Sequence, residues 1–381
     1  MKKIFVIAKN KIITVDTIFP VLQVIKNHCN ISSEIYVPDV GAYNEIKKNI
    51  ILNDVVSTFG VLRVLGNCYT ALYIKKFIIL LQLISILLSS IFFNSKVIHF
   101  GFFDDKWYLR VIGLLIGNNL IYSLNTVHDT DYQEIDSALN GYIWQEKTNV
   151  RGSVIIAFTN NQVLNLNLKK NQNVFVVGYL RKAKEWMDQT WNNAHLYIKK
   201  LHKIDINKER YCVVILGSYE DDQLYINKPS SVVTRSLAHS MLKVINLVDP
   251  ELNILLKPHI FTDMKFVKSL VSSHNNCQIT YLHPTVILNR CSFFIANNNT
   301  TLFSDAKQYS VPTVEYTSYK DAVLALTKGR STGWSDTDYF IQNDPERLEE
   351  VIRDILNRYD KVHIKSNKLP SQLYDFLRII C

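Results

Sequence analysis

Six short apolar runs punctuate the first half of the chain: Lys3–Ile7, Ser33–Val37, Val97–Phe100, Leu120–Asn125, Ser153–Phe158 and Asn173–Val177. Each has the length and composition of a strand, and the stretches between them are helical or looped. Strands spaced apart by helices lie parallel in one sheet, with helices on both faces. From about Leu180 to Arg210 the chain turns polar and lysine-rich and reads as a connector helix and linker. The alternation then restarts with "YCVVILGS", "NILLKPH", "QITYLHP", "SFFIAN" and "PTVEY". After the first of these, "PSSVVTRSLAHSMLKVINLV" places Val233, Leu237, Met241, Val244 and Ile245 at helical spacing behind serine caps. Near the end, "NDPERLEEVIRDILNRY" opens on Asp-Pro and carries Leu348, Val351, Ile352 and Ile355 on one face. The expected fold class is therefore α/β, two parallel-sheet domains in tandem. The first spans 1–180, a connector 181–210 and the second 211–360, with a tail, 361–381, packing back on the first domain.

At 381 residues there is room for two cores. A hydrophobic fraction of 48% with 20% charged residues excludes large-scale disorder. The 43 Lys and Arg against 34 Asp and Glu leave a formal charge of +9, which favours an anionic partner such as a nucleotide phosphate, an acidic membrane surface or nucleic acid. The aromatic residues do not interleave with Lys and Arg in clusters, and no nucleic-acid-binding motif is visible, so no nucleic-acid partner is expected.

The six cysteines, Cys29, Cys68, Cys212, Cys277, Cys291 and Cys381, offer no C-x-x-C pair and no Cys-His spacing that suits zinc. Reduced, buried thiols in a cytoplasmic protein are expected. The opening "MKKIFVIAKNKIITV" has the lysines and short apolar run of a signal peptide, but a lysine interrupts the run and no small-residue cleavage site follows. It reads as a first strand. "FIILLQLISILLSSIFF", Phe77 to Phe93, is flanked by Lys75, Lys76 and Lys96. It is just short of a spanning helix and diluted by Gln82, Ser85, Ser89 and Ser90, and "KVIHFGFF" follows almost at once. A helix buried in the domain or against a neighbour is the first expectation, a helix lying in the membrane interface the second and a span the third.

In open parallel sheets ligands bind beyond the carboxyl ends of the strands. Lys257 and His259 come directly after the apolar run "NILL", where cationic donors suit phosphate oxygens, and Pro258 between them stiffens the turn. His283-Pro284 ends the next run. Asn297, Asn298, Asn299, Thr300 and Thr301 follow the third and open a helix through "LFSDAKQY", where free N–H groups favour an anion. Three successive strand edges would thus converge on one phosphate-binding crevice.

The order of a strand ending in Gly217, then "SYEDDQ", a helix, "LLKPH", "LHP", "NNNTTLFSDAKQYSVPTV" and "TSYKDAVLALTKG" resembles the carboxy-terminal half of bacterial capsule and lipopolysaccharide glycosyltransferases of the Kdo-transferase and sialyltransferase type. The resemblance covers roughly Tyr211 to Gly333. It implies the GT-B architecture, two Rossmann-like parallel-sheet domains facing across a cleft. It also implies that Gly217, Ser218, Lys257, His259, His283, Asn299, Thr300, Thr301 and Ser304 hold the donor, with Asp222 and Gln223 near the cleft. The family commonly has a proline after the histidine where this chain has Ile260, and its Asn-Ser-Thr or Ser-Ser stretch is here Asn-Asn-Thr-Thr. Both departures bear on the donor.

In the first half, "LIYSLNTVHDTD" runs a strand into His128, Asp129 and Asp131 and resembles the acceptor-side strand of many GT-B enzymes. Chemistry at an anomeric carbon needs a carboxylate or imidazole as base or nucleophile, so these three are the catalytic candidates, with Asp104 and Asp105 of "GFFDDKW" as second choice. The expected activity is glycosyl transfer in surface polysaccharide synthesis (capsule, O-antigen or lipooligosaccharide). A nucleotide sugar, CMP-Kdo or CMP-nonulosonate, would be the donor and a glycan or lipid-linked glycan the acceptor. The expected place is the cytoplasm, peripheral at the inner face of the membrane through 77–93. No metal or other cofactor is required, because Lys257, His259 and the helix start carry the phosphate charge. One alternative is a UDP- or GDP-hexose-dependent GT-B hexosyltransferase. The other is a sugar-nucleotide epimerase, or a non-catalytic binding member, of the same fold.

Overall fold

The computed structural model describes residues 2–8, 12–66, 72–124, 148–164, 166–217, 230–259, 262–298, 300, 302–331, 336–358 and 370–381. They form two compact units, one holding the described residues up to 189 together with 370–381, the other holding 190–358.

Among its described residues the first unit has nine strands, β1 (Ile4–Ile7), β2 (Ser33–Val37), β3 (Gly60–Val64), β4 (Lys96–His99), β5 (Leu120–Ser123), β6 (Thr148–Asn149), β7 (Val154–Ala157), β8 (Leu166–Asn167) and β9 (Asn173–Val176). Seven form one parallel sheet in the order β3-β2-β1-β4-β5-β7-β9, while β6 and β8 pair apart from it. Among the described residues five α-helices precede residue 120: α1 (Ile12–Cys29), α2 (Val40–Lys48), α3 (Ile50–Phe59), α4 (Leu72–Phe93) and α5 (Trp107–Ile116). Asp39 and Asn49 start α2 and α3 by accepting the N–H groups of Ala42 and Leu52. β1 and β4 are buried along their whole length, because helices cover the sheet on both faces. Phe5, Ile7 and Val97 share one cluster with Leu83 and Ile86 of α4 and Leu109 and Ile116 of α5. On α1, Phe19 meets Phe59 of α3 edge-on with ring centroids 5.2 Å apart.

Two expectations are corrected here. Cys29, at the end of α1, and Cys381 are joined by a disulfide, so these two are not the reduced thiols the spacing suggested. Among the described residues, Cys212, Cys277 and Cys291 are free and buried. Helix α4 is not buried in the domain either. Only 17% of its apolar window is covered, by one face that packs on the sheet.

The second unit has a six-stranded parallel sheet: β10 (Tyr211–Leu216), β11 (Asn253–Pro258), β12 (Cys277–Ile279), β13 (Phe294–Ala296), β14 (Thr313–Thr317) and β15 (Tyr339–Gln342), in the order β12-β11-β10-β13-β14-β15. The helices Ser230–Val248 and Pro345–Arg358 bury the stripes their spacing predicts: Leu237, Met241, Val244 and Ile245 on one, Leu348, Val351, Ile352 and Ile355 on the other. Both stripes join Val214, Leu256 and Val314 of the sheet in a single core.

The stretch read as a connector is divided between the units. Helix Lys184–Gln189 buries Trp186 in the first, and helix Ala194–His202 buries Ile198 and His202 in the second. Helix Ser371–Ile380 belongs to the first unit, where Gln372 accepts the N–H of Val176 at 2.7 Å and Phe376 lies 6.0 Å from Phe175.

Candidate functional site

The first strand of the second sheet, β10, lies in its middle, and the chain winds outward to β11 and β12 on one side before crossing to β13 on the other. The order therefore reverses between β10 and β13, and the crevice at the carboxyl ends of such a pair is where parallel sheets bind ligands. In this chain the crevice is bridged. Gly217, just past β10, donates its N–H to Asn297 Oδ1, just past β13, at 2.8 Å. Thr262 Oγ1 donates to Gly217 O at 3.2 Å from the other side. Glycine at 217 is thus held by its backbone alone, with no side chain in the crevice.

Asn297 is wholly buried, and its own N–H reaches Ile215 O at 3.4 Å. Because Oδ1 takes the glycine N–H, Nδ2 must be the donor end of the amide, and it has no partner among the described residues. Two more such atoms lie at the next strand ends. Thr317 Oγ1 ends β14, and Gln342 Nε2 ends β15, its Oε1 accepting the N–H of Tyr319 at 2.9 Å.

On the other side of β10, Lys257 pairs in register with Ile215, and its half-buried ammonium donates to Leu282 O at 3.1 Å. His259 follows, exposed, its backbone N–H continuing the ladder to Leu216 O at 3.1 Å. The two cationic candidates thus stand one strand away from the Gly217–Asn297 bridge.

The remaining candidates are placed differently. The His283 ring is 1% exposed, and its Nδ1 accepts the N–H of Thr285 at 3.1 Å, so it caps the short helix Pro284–Ile287. Thr300 Oγ1 accepts the N–H of Leu302 at 3.4 Å, capping helix Leu302–Gln308, on which Ser304 is half-buried. That helix is seven residues long and carries buried Asp305 in its first turn. Ser218, Asp222, Gln223, Asn299 and Thr301 lie outside the described residues, as do His128, Asp129 and Asp131. Of the second choices in the first unit, Asp104 pairs with Arg151 at 3.0 Å and Asp105 is exposed. Nearby His99 is buried. Its Nδ1 accepts from Gly101 N–H and its Nε2 faces Arg151 O at 2.8 Å, which fixes the neutral Nε2–H tautomer and a structural role. Among the described residues no three His, Cys, Asp or Glu side chains gather into a metal-binding group.

One titratable group had no distinctive signal in the sequence. Glu315, on β14 and paired in register with Ala296, is fully buried, and Tyr319 and Ser331 donate their hydroxyls to its two oxygens. Burial pushes its carboxyl up to about 7, with the two hydroxyls pulling the other way.

No protein-family model matches the chain, and no curated protein matches it by sequence. Solved structures do match along nearly its whole length. Methanocaldococcus jannaschii UDP-GlcNAc 2-epimerase, solved in complex with UDP-GlcNAc and UDP, is 16% identical with a TM-score of 0.52, over 99% of each chain. A second UDP-N-acetylglucosamine 2-epimerase is 12% identical with a TM-score of 0.53, over 99% of this chain and 91% of its own. That from Rickettsia bellii is 13% identical with a TM-score of 0.50, over 100% and 96%. With two all-parallel α/β sheets, each wound outward from its first strand and matched to these structures from end to end, the chain has the GT-B fold.

Proposed function

We propose that the protein is a nucleotide-sugar enzyme that takes a UDP-activated sugar and transfers it to a glycan acceptor in surface polysaccharide synthesis. The reading rests on the bridged crevice: Gly217 and Asn297 straddle the reversal of strand order, with Lys257 and His259 on the adjoining strand. There the leftover Asn297 amide donor, the Lys257 ammonium and the His259 imidazole suit the oxygens of a diphosphate. The proposed donor is a UDP sugar rather than the CMP-linked acidic sugar expected from the sequence, because the like structures are named for UDP-GlcNAc. In transfer, the acceptor oxygen bonds to the anomeric carbon, the bond from that carbon to the phosphate oxygen breaks, and UDP departs with the electron pair. The acceptor proton passes to a base, for which His128, Asp129 and Asp131 remain the candidates. On this reading the enzyme works in the cytoplasm, peripherally at the inner face of the membrane.

A second reading, epimerisation of the UDP sugar, is favoured by what those structures are named. Unlike transfer, it keeps the sugar on UDP. Thermal shift against UDP, CMP, GDP and their sugars identifies the nucleotide, since a ligand bound only by the folded protein raises its melting temperature. Phosphorus NMR of the UDP sugar, with and without glycan acceptors, then separates the chemistries. Acceptor-dependent release of UDP supports transfer, and a new UDP sugar with no release supports epimerisation. No shift with any nucleotide would overturn both.

A further inference from the structure

Helices α4 and α5 lie side by side on one face of the first unit's sheet, sharing the cluster of Leu83, Ile86, Leu109 and Ile116. Their outward faces are as apolar as their inward ones. On α4, Ile74, Phe77, Leu81, Ile84, Leu88 and Phe92 recur at helical spacing, all exposed, with Phe92 at 73%. On α5, Trp107, Val111, Leu114 and Leu115 do the same, with Trp107 at 75% and Leu114 at 70%. A helix apolar all round belongs in a protein core or in lipid, and these two have only one face in the core.

Neither helix contains an acidic residue, and both begin in basic ones: Lys75 and Lys76 on α4, Lys106 and Arg110 at the start of α5. Each helix joins two parallel strands, β3 to β4 and β4 to β5, so both run from the carboxyl edge of the sheet to its amino edge. Their starts therefore gather at the same edge, with Trp107 and Tyr108 beside the lysines. An apolar flank with aromatic residues and cations at one end suits a helix pair lying in a membrane–water interface with acidic headgroups. Asp104 and Asp105 precede α5 in the chain, and Asp104 is paired with Arg151.

A span is excluded for α4 by its other face. Gln82, midway along, accepts the N–H of Gly66 at 2.8 Å and donates to Val64 O, and Asn119 donates to Ser90 O at 2.9 Å. Held by the sheet at both places, α4 lies flat.

We infer that the joint outer face of α4 and α5 lies in the interface of a membrane bearing anionic lipids, with the basic and aromatic residues at the helix starts meeting the headgroups. This deepens the peripheral location proposed above, and it stands or falls independently of the sugar chemistry. It also assigns a reason for the location: a lipid-linked acceptor would be met at the edge where the basic and aromatic residues gather.

The test is flotation of the full chain with phosphatidylcholine vesicles, with and without phosphatidylglycerol. The wild type is compared with Leu81→Glu/Leu88→Glu and with Lys76→Gln/Lys106→Gln. Wild type should float only with the anionic vesicles, the leucine variant should stay at the bottom, and the lysine variant should lose roughly tenfold or more in partitioning. Tryptophan emission should shift blue on binding, less so in Trp107→Phe. Equal partitioning onto neutral vesicles would overturn the assignment. So would no flotation, or a dimer in light scattering that the leucine variant dissociates while wild type ignores vesicles. Unchanged melting and unchanged nucleotide-induced shifts in both variants would show that the fold and the donor site are intact.

Discussion

Replacing Glu315 with Gln should stabilise the protein at pH 8 and not at pH 4.5. The side chain is fully buried and accepts hydroxyls from Tyr319 and Ser331, yet burial raises its carboxyl from the ordinary 4.5 to about 7. Below 4.5 the acid is neutral folded and unfolded, and its full contribution is present. As pH rises, the unfolded chain releases the proton first, and the contribution is lost until the folded form ionises near 7. The difference between 4.5 and about 7 amounts to roughly 3 kcal/mol, withdrawn across that window. Gln cannot ionise and keeps the shape of the neutral acid, so the variant escapes the loss. For a unit of this size the gain at pH 8 is roughly 6–12 °C in the transition that responds to the substitution, fading by pH 5. Calorimetric melts of both proteins at half-unit steps from pH 4.5 to 8.5 would measure it. Two profiles that run parallel would refute the reasoning, because the substitution would then change packing and not titration.

Asn297→Ala removes the acceptor of the Gly217 N–H, and should cost about 1–3 kcal/mol of stability while shrinking any nucleotide-induced rise in melting temperature. His259→Ala should spare stability, since the ring is exposed, and reduce the same ligand-induced rise. Cys29→Ser, or a reductant, should destabilise the first unit by about 2–4 kcal/mol, read as a denaturant midpoint shift absent when reductant is added to the variant. At Gly60 an added Cβ would sit 2.2 Å from Ser33 O, so Gly60→Ala should cost about 1–3 kcal/mol, seen as faster amide exchange along β2 and β3.

The central strands were legible because a strand covered on both faces is apolar along its whole length, as "YCVVIL" and "IFVI" are. The edges were not. β3, "GVLRV", has Val61 half exposed and Arg63 paired with Glu34, and β15, "YFIQ", is mostly half-buried, so neither shows a continuous apolar run. Lys257 and His259 could be placed at a strand end from spacing. The pairing of Gly217 with Asn297 could not, because it depends on which strands become neighbours after the order reverses. Glu315 sits in "PTVEYT", where alternation suggests a solvent-facing residue. Only Tyr319, Ser331 and the covering helices reveal it as a buried acid. The Cys29–Cys381 bond joins residues 352 apart, a separation at which local sequence carries no information.

The return of helix Ser371–Ile380 to the first unit has a consequence for how the chain is made. Its Leu373, Phe376 and Ile380 are buried there, Gln372 takes up the Val176 N–H at the outer strand of the sheet, and Lys2 reaches Cys381 O at 2.8 Å. During synthesis the residues of the first unit emerge first, yet their last packing partner emerges after 358, by which point the whole second sheet is available to fold. The half made first is therefore finished last. Until then β9 is an uncovered sheet edge beside an apolar surface, the kind of feature that pairs with other chains. Emergence of residues 371–380, rather than completion of the second unit, is the event that closes it.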